Sequence, residues 1–91
     1  MSLKPEQIEA GHSYACYYTL RDITLDEHGR PGGLLSMTDL PVARMGDYEG
    51  FGIICKRDAE QQLLEVYDDE LQRRFVVAYG DVRDIDTVQF E

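Results

Sequence analysis

Tryptophan is absent from this chain, cysteine occurs only twice and proline three times, and 9 basic side chains face 18 acidic ones. Cys16 and Cys55 lie far apart in apolar surroundings. That spacing excludes a zinc-ligand motif and the disulfide density of a small secreted scaffold. Both are read as strand residues, where a small apolar thiol is packing material. A disulfide between them is geometrically open, but a reducing, cytoplasmic compartment is the better match to two isolated cysteines. Long hydrophobic runs are missing as well: the longest are short pieces such as Phe75 to Tyr79, against the roughly 20 residues that span a bilayer. No charged and then apolar leader precedes Gly11, so a soluble protein with no membrane contact is expected.

The shortage of cations excludes further classes. The net charge is -9, and it is uneven: up to Gly46 the chain carries four basic and six acidic residues, beyond it five and twelve. Binding to duplex nucleic acid or anionic lipid draws its affinity from clustered Lys and Arg, so both are disfavoured. A basic protein partner is the natural complement, although excess carboxylates also serve solubility. At 91 residues the chain is expected to form a single domain, residues 1–91, with one core.

What is present is a succession of short extended segments. Lys4 to Ala10 places Pro5 at a first helical position with acids behind it and Gly11 as a stop, which predicts one or two turns anchored by Ile8. From His12 to Leu25 aromatic and β-branched residues dominate, as a long strand requires. Tyr14, Cys16, Tyr18 and Leu20 share one parity, Ile23 and Leu25 the other. The phase switch predicts a bulge or bend near Arg21 and Asp22. Asp26 to Gly33 is turn chemistry, Leu34 to Met37 a short returning strand, and Thr38 to Asp47 a loop. Strands follow at Glu49–Arg57, Leu63–Tyr67 and Arg73–Tyr79, the last read as central. A single 3₁₀ turn spans Gly80 to Asp84, and a final strand runs from Ile85 to Phe90.

Brief strands joined by polar turns make an antiparallel meander, and a sheet this small is expected to coil into a partly open barrel. Three features resemble an SH3-like small β-barrel over residues 8 to 90: the opening Ile8-x-x-Gly11-x-x-Tyr14, the hairpins from Glu49 to Tyr79, and the strand, 3₁₀ turn and strand from Phe75 to Phe90. The resemblance is to a fold and implies an all-β domain, its barrel at about residues 11–90 preceded by a short N-terminal helical turn. It implies no catalytic residues, because proteins with this barrel bind proline-rich peptides, modified lysines, nucleic acids or protein partners through different surfaces.

Chemistry-bearing patterns are sparse. His12 and His28 form no metal spacing with the acidic turns at Asp68-Asp69-Glu70 or Asp81 to Asp86, which read as solvated turn carboxylates. Gly32-Gly33 lacks the length and the Lys-Ser/Thr pair of a phosphate loop. No catalytic residue, cofactor or metal ligand is assigned. Aromatics are the sharper signal: six tyrosines and three phenylalanines exceed what so small a core hides. Tyr17, with parity opposite to Tyr14 and Tyr18, is expected to meet Tyr48 and Phe51 at a rim beside Asp47 and Glu49. Such an acidic aromatic surface suits a segment carrying Lys, Arg or methylated lysine. The basic pairs Lys56-Arg57 and Arg73-Arg74 sit on strands that could be adjacent, a positive stripe open to RNA or single-stranded DNA, but the acids at Asp58, Glu60, Glu65 and Asp68 make cross-strand ion pairs the simpler reading. The expected function is therefore a noncatalytic protein-interaction module for a basic partner, with a homodimer through edge pairing also open. The alternatives are a small enzyme with a carboxylate site and an acidic inhibitor that mimics nucleic acid.

Overall fold

Five strands carry the architecture in the computed structural model, which describes residues 3–9, 11–26, 28–31 and 44–88. They are β1 (Ser13–Leu25), β2 (Arg44–Asp58), β3 (Leu63–Asp68), β4 (Arg73–Ala78) and β5 (Val82–Val88). They form one antiparallel sheet in the order β4-β3-β2-β1-β5, and the sheet is not closed. A 3₁₀ turn at Pro5–Gln7 precedes β1, and another at Tyr79–Asp81 joins β4 to β5. The expected strand at Leu34–Met37, the turn residues Gly32 and Gly33, and the loop from Thr38 to 43 lie outside the described residues. Two expectations are corrected. Residues 44–47, assigned to a loop, begin β2, and β4 is an outer strand rather than a central one.

Two compact units divide the chain, Met1–Tyr18 with Gly50–Glu91, and Thr19–Glu49. In the first, period-two alternation delivers Leu64 and Val66 from β3 and Val77 from β4 to one buried face. Tyr14, Cys16 and Tyr18 from β1 and Ile85 from β5 are buried too. Tyr18 and Phe75 lie with ring centroids 5.7 Å apart. The β1–β5 ladder passes from Ala15↔Asp86 to Tyr17↔Arg83, so Asp84 and Ile85 together stand opposite Cys16. Asp84 takes φ 54°, the left-handed geometry of a β-bulge, and Ile85 is thereby returned to the core. Leu3 donates its N–H to the Ile85 carbonyl at 2.8 Å and so bonds to the outer side of β5.

Among the buried residues Asp68 is the exceptional one, 1% exposed. Burial of this polar side chain is offset because both oxygens accept hydrogen bonds, Oδ2 from the Tyr18 hydroxyl at 2.5 Å and Oδ1 from the Leu71 N–H at 3.0 Å. The second of these bonds belongs to a device used twice. Asp58 accepts the Gln61 N–H at 3.0 Å in the β2–β3 turn, as Asp68 accepts that of Leu71 in the β3–β4 turn. Each turn then closes on a glutamine in the left-handed region, Gln62 at φ 57° and Gln72 at φ 54°. A side chain there costs about 1–2 kcal/mol, while glycine gives back roughly 0.5–1 kcal/mol in backbone entropy. Gln72→Gly should therefore raise the melting temperature by a few degrees, and a lowered Tm would show that the glutamine side chain itself stabilises the turn.

In the second unit, Asp22 takes φ 53°, at the position where the apolar parity switches. Its N–H donates to Asp47 Oδ1 at 3.0 Å. Leu25 is buried, and a Cβ at Gly46 would lie 3.0 Å from its Cδ1. Asp26 Oδ1 accepts the N–H groups of His28 at 2.8 Å and Arg30 at 3.0 Å. The Arg30 N–H is the chief cause that lowers the Asp26 pKa.

Candidate functional site

Residues of β1, β2 and β3 that turn away from the buried face build an aromatic surface. Tyr17 is flanked by buried Cys16 and Tyr18, so the pleat directs its ring outward, where it is 45% exposed. Phe51 is 52% exposed and meets Tyr17 with ring centroids 5.0 Å apart at 60°. Ile53 stands opposite Tyr67 in the β2–β3 register and shares a face with Phe51, two residues before it. The Arg83 guanidinium carbon lies over the Tyr17 ring, 5.8 Å from its centroid.

Beside Phe51 opens a groove of about 550 Å³ lined by Phe51, Gly52, Ile53, Tyr67, Asp69 and Glu70. Gly52 lies where β2 and β3 approach most tightly for a side chain. A Cβ there would lie 2.5 Å from both the Tyr67 carbonyl oxygen and Val66 Cγ1, so only glycine lets β2 approach β3 this closely. Asp69 and Glu70 reach the rim because the β3–β4 turn begins at Asp68. The groove thus joins aromatic faces to carboxylate acceptors, a combination suited to a cation carried on an apolar stem.

Of the five expected rim residues, Tyr17 and Phe51 are brought together. Asp47, Tyr48 and Glu49 belong to the Thr19–Glu49 unit, where Asp47 and Glu49 are exposed and Tyr48 is half-buried. The carboxylates beside Phe51 come instead from Asp69 and Glu70, which sequence reasoning assigned to a solvated turn. The basic pairs are also rearranged: β3 separates Lys56-Arg57 from Arg73-Arg74. Glu65 of that strand lies opposite Lys56 and 4.0 Å from the Arg74 guanidinium. Arg57 is engaged elsewhere, donating to the Pro5 and Glu6 carbonyls at 3.2 and 3.4 Å and tying down the first 3₁₀ turn.

The two cysteines divide. Cys16 is buried, and burial pushes its thiol up to about 11. Cys55 is exposed, contrary to the core reading, because the ladder steps from Ile54↔Val66 to Lys56↔Glu65 and leaves Cys55 as the unpaired bulge residue. It lines a second cavity of about 340 Å³ together with Glu9, His12 and Tyr14. There His12 Nε2 sits 3.9 Å from Glu9 Oε2, and Tyr14 accepts the Glu9 N–H at 3.1 Å through its hydroxyl oxygen. A thiol reagent such as Ellman's should modify one cysteine in the folded protein and the second only on denaturation. Two fast thiols would contradict the burial of Cys16.

Among the described residues, no group of three or more His, Cys, Asp or Glu side chains is arranged to hold a metal ion, and no helix is long and apolar enough to cross a membrane. No family model, curated protein or solved structure matches this chain.

Proposed function

We propose that this chain is a noncatalytic protein-interaction module of the SH3-like small-barrel kind, which captures a basic segment of a partner protein in the groove beside Phe51. The observation that carries this reading is the juxtaposition of Phe51 and Tyr67 with Asp69 and Glu70 around a groove of about 550 Å³, a volume within the range of ligand sites. The net charge of -9 adds attraction for a cationic partner and steers its approach. The strand order β4-β3-β2-β1-β5 and the 3₁₀ turn between β4 and β5 support the barrel assignment. The free thiols of Cys16 and Cys55 agree with a cytoplasmic setting.

The test is titration of a fluorescent cationic peptide into the wild-type protein and into a Tyr17→Ala, Phe51→Ala double variant. Exposed aromatics at a binding site contribute strongly while adding little to the core, so binding should weaken about tenfold or more with a nearly unchanged melting temperature. Equal affinity for the two proteins removes the aromatic surface as the binding site.

A further inference from the structure

The chemistry of the groove distinguishes between the two cations that a basic segment can offer. A ring face and a carboxylate ask different things of a bound cation. The face attracts positive charge and flat, weakly hydrated surface, and the carboxylate accepts directed N–H donors. A guanidinium meets both demands together, stacking through its plane while its N–H groups point outward within that plane. An ammonium is a compact, strongly hydrated charge that meets one demand at the expense of the other.

The protein already places arginines over its own rings. Arg83 lies over Tyr17, with 5.8 Å from guanidinium carbon to ring centroid, and Arg73 lies over Phe75 at 5.4 Å. Within the Tyr17–Phe51 pair, Tyr17 therefore carries an intramolecular arginine, and the exposed area of Phe51 faces the groove with Asp69 and Glu70 on its rim. The groove is also larger than one side chain needs, which accommodates an extended segment with neighbouring residues beside the anchored one.

We infer that the groove selects arginine over lysine, seating the guanidinium of a basic partner segment against Phe51 and Tyr67 with its N–H groups directed to the Asp69 and Glu70 carboxylates. The inference rests on the groove being the site for a basic segment, as proposed above. It is specific about which cation confers affinity, a property that net charge alone does not determine.

Isothermal titration with hexa-arginine and hexa-lysine, equal in length and charge, at one fixed salt concentration tests it. The arginine peptide should bind the wild-type protein roughly five- to tenfold more tightly, the scale of a partly desolvated cation–ring contact. Phe51→Ala should bring the two affinities together. Should that variant melt early, Phe51→Leu keeps the aliphatic bulk, removes the ring and reads the same ratio. Equal affinities that both fall on replacement of Phe51 overturn the arginine selection and leave the groove as the basic-segment site. A preference for arginine that persists without the ring also overturns it, since the selection then lies elsewhere. Absence of binding by either peptide, or binding by both that ignores Phe51, overturns the groove itself.

Discussion

A Val77→Asp variant is expected to be unfolded at room temperature, without a cooperative thermal transition by far-ultraviolet circular dichroism. Val77 is 4% exposed and stands opposite Leu64 in the β3–β4 ladder. Losing the burial of a valine costs about 1.5–3 kcal/mol. Burying a carboxylate that lacks a partner adds several kcal/mol more, unless the group takes up a proton. The sum is comparable with the whole stability of a small domain, about 5–15 kcal/mol. Val76 supplies the control: it is 64% exposed and faces Glu65 across the ladder. Val76→Lys places a cation opposite that carboxylate and should leave the transition within about 0.5 kcal/mol of wild type. A Val77→Asp protein that melts like its parent would refute the inward face assigned to β4.

Gly52→Ala should be nearly as informative, because one methyl group tests the approach of two strands. The added Cβ would meet the Tyr67 carbonyl and the Val66 side chain at 2.5 Å, and the backbone member of that pair cannot rotate away. Overpacking of this kind costs typically about 1–3 kcal/mol, which corresponds to a fall in Tm of roughly 4–8 °C per kcal/mol in a domain of this size. Strands forced apart would also move Phe51 relative to Tyr67, so affinity for a cationic peptide should fall together with stability. An unchanged melting temperature would mean that β2 and β3 are farther apart at this point.

Segments whose side chains alternate strictly were legible before any coordinates. Leu64 and Val66 share a parity, as do Phe75 and Val77, and each pair lies on the inner side of its strand. The start of β2 was not legible because Gly46 and the irregular pattern before it weaken a local strand signal, and pairing with neighbouring strands overrides it. The outer position of β4 was misjudged for a related reason. An apolar run such as Phe75 to Ala78 suggests burial on both sides, yet Val76 lies exposed on the outer face while Val77 fills the core. Cys55 was misplaced because a bulge changes parity without leaving a mark in composition. Next to the groove, Tyr17, the ring neighbour of Phe51, could be singled out by its parity against Tyr14 and Tyr18. Asp69 and Glu70 could not be chosen among 18 acids, because their position depends on where β3 ends. A signal was nevertheless there, in the matched spacing of Asp58 with Gln62 and Asp68 with Gln72, which marks two turns of one design.

That matched design separates two kinds of position within the β3–β4 turn. Asp68 and Gln72 shape the backbone, whereas Asp69 and Glu70 between them present carboxylates to whatever enters the groove. Substitution at the inner pair can change the charge at the groove rim while the scaffold is left intact, as the β2–β3 turn illustrates at the first of the two places by holding Ala59 where the β3–β4 turn has Asp69. The chemistry of this rim can therefore change, by drift or by engineering, through exchange of two side chains without a compensating change in the core.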